Sequence, residues 1–406
     1  MRISTGSIVG ACFSAAILAA CGSSGPSTEP VLSGAEGLKM TTAEPSHVRP
    51  AYRVLYTFKG GTGDGGYPYG GVINVKGTLY GATYEGGANG DGTVFSVTTS
   101  GAETMLYSFK GGLGDGVGPQ AGLLYVKGKL YGTTFLGGAN VYGTLFSVMT
   151  SGKETVLHGF GAYGDGKNPE ASLLDVKGAI YGTTVYGGSC YGYGFCGTVF
   201  SITTSGTETV LHSFGGPGDG IYPYAALLDV KGTLYGTTYG GGANGDGTVF
   251  SLTPSGKETV LYSFKGGSGD GKDPYAGLIN VKGTLYGATF QGGVNGDGTV
   301  FSITPSGKET VLYSFKGGSG DGEDPYATLL DVKGTLYGTT CYGGANGYGT
   351  VFSITTSGKE TVLHSFSGSG DGEDPYAALI NVKGTLYGTT FEGGTKDAGT
   401  VFSLSP

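Results

Sequence analysis

The chain has 406 residues, among them 87 Gly, 29 Tyr and 19 Phe but no Trp, with a formal net charge of -8. The length suits one large domain or a few ordinary ones, and the 38% apolar share suffices for a core. Collagen is excluded because no Gly-X-Y triplet recurs, and the acidic balance excludes nucleic acid or an anionic membrane surface as a natural electrostatic partner.

At the N-terminus, Arg2 precedes a mostly apolar or small run from Ile8 to Ala20. The run is too short to span a bilayer and has the shape of an export signal, which assigns residues 1–20. Its end, Leu18-Ala19-Ala20-Cys21, resembles the lipobox of bacterial lipoproteins. The resemblance implies cleavage before Cys21 and lipidation of that residue. The protein would then be held on a membrane, outside the cytoplasm, by acyl chains. Gly22 follows where an Asp would retain a lipoprotein in the inner membrane, so a two-membrane source implies the outer membrane. Residues 21–50, rich in Ser, Gly, Pro, Thr and Glu, read as a flexible tether. Residues 51–406 read as the folded domain.

That domain repeats itself. Tyr-Gly recurs at Tyr80, Tyr131, Tyr181, Tyr235, Tyr286, Tyr337 and Tyr387, and a Gly-Thr-Val/Leu-Phe segment ends at Phe95, Phe146, Phe200, Phe250, Phe301, Phe352 and Phe402. A Val/Met-Leu-Tyr/His segment starts at Val54, Met105, Val156, Val210, Val260, Val311 and Val362, with spacings of 51, 51, 54, 50, 51 and 51 residues. In the unit that begins at Tyr275, strands are predicted over 276–281, 284–290, 299–304 and 309–315. Short β-branched and aromatic runs between Gly-bearing turns favour strands, and no helical stripe survives between the glycines. Four strands per period of this length predict a propeller blade. The chain opens with a lone fourth-type strand, Arg53–Phe58, and its last unit stops after a third strand, Val401–Leu404. The expectation is an all-β, monomeric seven-bladed β-propeller of four-stranded blades, its ring closed by the N-terminal strand. A stacked solenoid would instead want capping units at both ends.

In a meander, alternate connections emerge on the same side. Long loops such as residues 265–274 and 292–298 therefore share one face. Short turns carrying Lys76, Lys127, Lys177, Lys231, Lys282, Lys333 and Lys383 share the other. Tyr69, Tyr224, Tyr275, Tyr326 and Tyr376 each precede the first strand of a unit and are expected near the central opening of the long-loop face; Gln120 and Glu170 hold that place in two units. They read either as packing groups or as platforms for sugar or peptide. The Leu-Tyr-Gly-Thr-Thr, Gly-Gly and Gly-Thr-Val-Phe units resemble the GloVer-type tandem repeat of bacterial surface proteins over nearly all of Arg53–Pro406. That resemblance implies an extracytoplasmic location and brings no activity with it.

Candidate chemistry is sparse. Asp64, Asp115, Asp165, Asp219, Asp270, Asp321 and Asp371 sit in Gly-Asp-Gly loops and read as turn formers that bond backbone N–H groups. Calcium is the functional alternative, offered by the pairs Asp270 with Asp273, Asp321 with Asp324 and Asp371 with Asp374, although no unit has the full EF-hand spacing. No other cofactor is implied. His158, His212 and His364 occupy one position on different blades, so they are not expected to gather into a metal site. Without another suitable His, a Ser-His-Asp or Cys-His site lacks a base. Cys190 and Cys196 flank an enlarged loop and are expected to form a disulfide in an oxidising compartment. Cys341 stands where other units have Tyr, Phe or Val, as a small buried hydrophobe. The expected function is a lipid-anchored, non-enzymatic binder or scaffold for a glycan or protein. The alternatives are an enzyme acting on an extracellular polymer, with Glu170 as its singular acid, or a purely structural envelope protein.

Overall fold

A computed structural model describes residues 50–189 and 196–406. The blade that begins at Ile279 shows how the repeat folds. Its strands are Ile279–Val281, Thr284–Thr289, Thr299–Ile303 and Glu309–Ser314, paired antiparallel in chain order. Lys282 and Gly283, at φ 54° and 93°, form the two-residue turn between the first two strands. Two successive positive-φ residues give the mirror-image turn whose twist matches that of the flanking strands. Within Thr284–Thr289, Leu285 and Ala288 are fully buried. Gly287 lies opposite Phe301 in the ladder, and a Cβ there would stand 2.7 Å from that ring's Cζ. The Gly of each Tyr-Gly pair is thus the floor on which the Phe of Gly-Thr-Val-Phe rests.

Six blades take all four strands consecutively, beginning at Ile73, Leu124, Leu174, Leu228, Ile279 and Leu330. The seventh consists of Ile380–Val382, Thr385–Thr390 and Thr400–Ser405, with Ala51–Thr57 as its outer strand. Ala51 pairs with Ser405 and Thr57 with Thr400. The seven-bladed ring closed by the N-terminal strand is therefore present, and no edge is left at the join.

The core lies in the seams between neighbouring blades. The Phe that ends one outer strand meets, edge to face, the Phe of the next blade's third strand: Phe58 with Phe95 at 5.0 Å, Phe264 with Phe301 at 5.2 Å, Phe315 with Phe352 at 5.1 Å. Phe58, Phe95, Phe264 and Phe301 are fully buried. Such pairs add about 0.5–1.5 kcal/mol beyond area burial. A bulge in every outer strand turns a Leu carbonyl toward the following blade. A Cβ on Gly307 would lie 2.4 Å from Leu261 O, which explains the Gly of the Ser-Gly hairpins.

Two details differ from the sequence reading. The first strands are only three residues long, Ile279–Val281 rather than the predicted 276–281; Ala276 and Leu278 before them are buried, and Leu278 packs with Phe264 and Phe301 in the seam. The Gly-Asp-Gly and Gly-Gly loops also contain paired two-residue strands, such as Gly271–Lys272 with Gln291–Gly292. Cys21 and the tether up to residue 49 lie outside the described residues, as does Cys190. Cys196 and Cys341 are buried. No helix among the described residues is long and apolar enough to cross a membrane.

Candidate functional site: the tyrosine-rimmed central cavity

Each first strand is preceded by a short extended segment that turns inward. This brings the seven residues at its head around the ring axis: Tyr69, Gln120, Glu170, Tyr224, Tyr275, Tyr326 and Tyr376 all line one cavity of about 270 Å³. Its wall is built of small residues, among them Gly71, Gly122, Ser172, Ala226 and Ala378. A Cβ on Gly71 would lie 2.8 Å from Ala378 O, so the wall is close-packed around the axis.

The five tyrosines form a continuous arc. Tyr224 stacks on Tyr275 at 4.3 Å, Tyr275 on Tyr326 at 4.2 Å, and Tyr376 on Tyr69 at 5.2 Å. Tyr326 meets Tyr376 edge to face at 5.1 Å, and the hydroxyls of Tyr69 and Tyr326 share a short hydrogen bond. These rings brace one another as well as facing the cavity. Burial pushes the hydroxyls of all five above the usual tyrosine range, and they stay neutral at any physiological pH.

Gln120 and Glu170 close the arc and give the rim its polar sector. Glu170 is half-buried and lines the cavity, and burial pushes its carboxyl up to about 7, against a hydrogen bond from Tyr69 that acts the other way. Gln120 Oε1 is buried without a hydrogen-bond partner in the protein. One sector thus offers apolar ring surface and hydroxyls, and the other offers acceptors, one of them unused. This suits a neutral group with hydroxyl or N–H donors and an apolar flank.

The lysine turns lie elsewhere. Lys76 and Lys383 border a separate cavity of about 590 Å³ with Asn74, Thr99 and Tyr387, and no residue lines both.

The Gly-Asp-Gly acids are turn formers. Asp270 accepts from the Tyr262 hydroxyl at 2.7 Å, the Lys265 N–H at 2.9 Å and the Gly271 N–H at 2.7 Å. Asp64, Asp115 and Asp321 repeat this set. Asp371 accepts from the Ser367 N–H and hydroxyl, at 2.7 and 2.8 Å. The partner acids Asp273, Asp324 and Asp374 have left-handed backbones, at φ 55°, 57° and 53°, and burial pushes their carboxyls up to about 6, 7 and 6. Among the described residues, three groups gather three metal-ligand atoms within 4.8 Å: His158–Asp165–Glu208, His212–Asp219–Glu258 and Glu373–Glu392–Asp397. The six acids considered for calcium lie outside them. The histidines indeed do not meet one another, but two of them meet an Asp and a Glu. That signal was hidden because the Glu belongs to the next blade, about one repeat later.

No curated protein matches the chain in sequence. Among solved structures, a gluconolactonase from Xanthomonas campestris is similar at 14% identity and a TM-score of 0.39, covering 64% of this chain and 78% of that one. The Gloeobacter/Verrucomicrobia repeat matches residues 39–248 and 226–406, which take in every blade described above. The chain belongs to the Gloeobacter/Verrucomicrobia repeat family.

Proposed function

We propose that the protein is a non-enzymatic binding protein that takes an uncharged glycan on its long-loop face, with one sugar unit seated in the tyrosine-rimmed mouth of the central cavity. The observation that carries this is the divided rim. Five tyrosines supply apolar ring surface and hydroxyls for one side of a sugar, and Gln120 and Glu170 supply acceptors for its hydroxyls. The cavity, at about 270 Å³, is of a size for one such unit rather than for a protein surface. We place the protein in the cell envelope, lipid-anchored through Cys21, with residues 22–50 as its tether.

Glycan-array screening of the purified full-length chain, followed by calorimetry on the hits, tests the reading. Tyr275→Ala and Tyr326→Ala should each weaken binding by about 1 kcal/mol or more. Lys282→Glu and Lys333→Glu, at the other cavity's kind of turn, should leave it unchanged. Loss of binding in the lysine variants with retention in the tyrosine variants would move the site to the opposite face. Release of a smaller product from a hit would make the protein an enzyme.

A further inference from the structure

The seams between blades repeat one polar pattern, with a correlated exchange of side chains. In four seams a Tyr hydroxyl, from Tyr56, Tyr107, Tyr262 or Tyr313, donates to the Gly-Asp-Gly carboxylate. A Lys follows the buried Phe in each of these, as Lys59, Lys110, Lys265 and Lys316. It is the cation that acts on the facing Glu at the start of the next blade's outer strand. In the other three seams His158, His212 or His364 replaces the Tyr, the loop to the Asp is one residue shorter, and Gly161, Gly215 or Ser367 replaces the Lys. Where the ammonium disappears, an imidazole enters. Two of these seams keep the facing Glu, as Glu208 and Glu258; the third has Tyr52 in its place.

We propose that these two seams are binding sites for a divalent transition ion of the zinc class, one held by His158, Asp165 and Glu208 and the other by His212, Asp219 and Glu258. The three ligand atoms of each set lie within 4.8 Å of one another. His Nε2 stands 3.1 Å from Asp165 Oδ2 in the first and 2.9 Å from Asp219 Oδ2 in the second. A tetrahedron with bonds of about 2.1 Å has edges of about 3.4 Å, so that edge is nearly formed and the Glu closes the face by a small side-chain rotation. Glu208 Oε1 and Glu258 Oε1 are buried and have no hydrogen-bond partner, a state they share with Glu154, Glu309 and Glu360 Oε1 of the Tyr seams, so it is the imidazole that sets these two sites apart. In the Tyr seams the corresponding Glu has an ammonium nearby; here an imidazole stands beside two carboxylates that a divalent ion would neutralise. The other Asp oxygen is already oriented by a backbone N–H, from Gly166 at 2.6 Å and from Gly220 at 2.7 Å, the outer support a ligating carboxylate needs. An imidazole with two carboxylates selects zinc-class ions over calcium, which prefers oxygen alone. The fourth position falls to water.

The test uses the full chain stripped with chelator and titrated with zinc at pH 7.5, by calorimetry and by cobalt(II) absorption. The expected stoichiometry is two ions per chain. Glu208→Gln and Glu258→Gln should each remove one ion, and His364→Gln should remove none. His158→Gln, which keeps an N–H donor toward Asp165, provides a second route to the one-site protein should a Glu variant fold poorly. No zinc uptake by the folded chain, or an uptake of two that survives Glu208→Gln and His158→Gln, overturns the assignment and leaves the imidazoles as hydrogen-bonding partners of the Asp carboxylates.

Discussion

Tyr52 lies flat on His364, with ring centroids 3.8 Å apart and planes 1° from parallel, and its hydroxyl donates to Asp371 O at 2.7 Å. It occupies the ladder position that Glu103 holds in the first blade, opposite Leu404 where Glu103 faces Val97. The ring therefore closes through an aromatic clasp where the other seams use a carboxylate.

Loss of that clasp should loosen the join. Tyr52→Ala removes the stack on His364, the edge contact with Phe366 at 5.9 Å and the bond to Asp371 O. It is expected to cost about 3 kcal/mol in denaturant unfolding. Arg53→Ala, on the exposed side of the same strand, should cost little. Equal effects of the two would show that the strand, and not the clasp, does the closing.

Stability should fall as pH rises through neutrality. Burial first, and then the facing Asp, push Glu103, Glu154, Glu208, Glu258, Glu309 and Glu360 up to about 7. A carboxyl that is raised in the folded state binds more protons there than in the unfolded chain. Its favourable contribution is complete below the ordinary Glu value of 4.5 and is lost as pH climbs through about 7. Asp371, lowered by His364 and Ser367 against its burial, acts oppositely, but at pH values below that window. Thermal scans should give a higher Tm at pH 5.5 than at pH 8. Glu309→Gln should raise the Tm at pH 8 and flatten the slope. A Tm that rises from pH 5.5 to 8 would contradict this.

The turn role of the Gly-Asp-Gly acids is checked by Asp270→Ala. The change strips three donors of their acceptor, the Tyr262 hydroxyl and the Lys265 and Gly271 N–H groups. A loss of about 2 kcal/mol is expected, the same with calcium and with chelator. A loss that appears only when calcium is present would assign Asp270 to a metal instead.

Membrane attachment is checked by Cys21→Ser. The variant should leave the membrane fraction, or stay uncleaved, and should take up no labelled palmitate. A normally cleaved, membrane-bound variant would remove the anchor from the proposal.

Much of this architecture is legible in the sequence because one period is written seven times. The lone strand at one end and the missing strand at the other state the closure directly, and the position before each first strand places Tyr69 and Glu170 at the axis. Two kinds of feature escape. Segments such as Gly271–Lys272 pair through backbone alone and leave no side-chain alternation to read. Contacts across seams join residues of successive units. Glu208 reads within its own repeat as an ordinary hairpin charge, and only the ring sets it beside Asp165 and His158. The mutual stacking of the tyrosines is hidden for the same reason, since Tyr275 and Tyr326 are neighbours only because the blades are.

The pairing of Ala51 with Ser405 also bears on how the ring could be cut and rejoined. In the first blade Thr98, which pairs with Ala102 across its hairpin, is followed by Thr99, Ser100 and Gly101. In the last blade Ser405 is followed by Pro406, and the partner strand resumes at Ala51. Only the equivalents of Ser100 and Gly101 are missing. The molecule is thus a ring of seven hairpins with one left unlinked by two residues. A Ser-Gly insert between Pro406 and Ala51, with new termini opened between Ser306 and Gly307, would shift the break to another blade and keep every strand in its register.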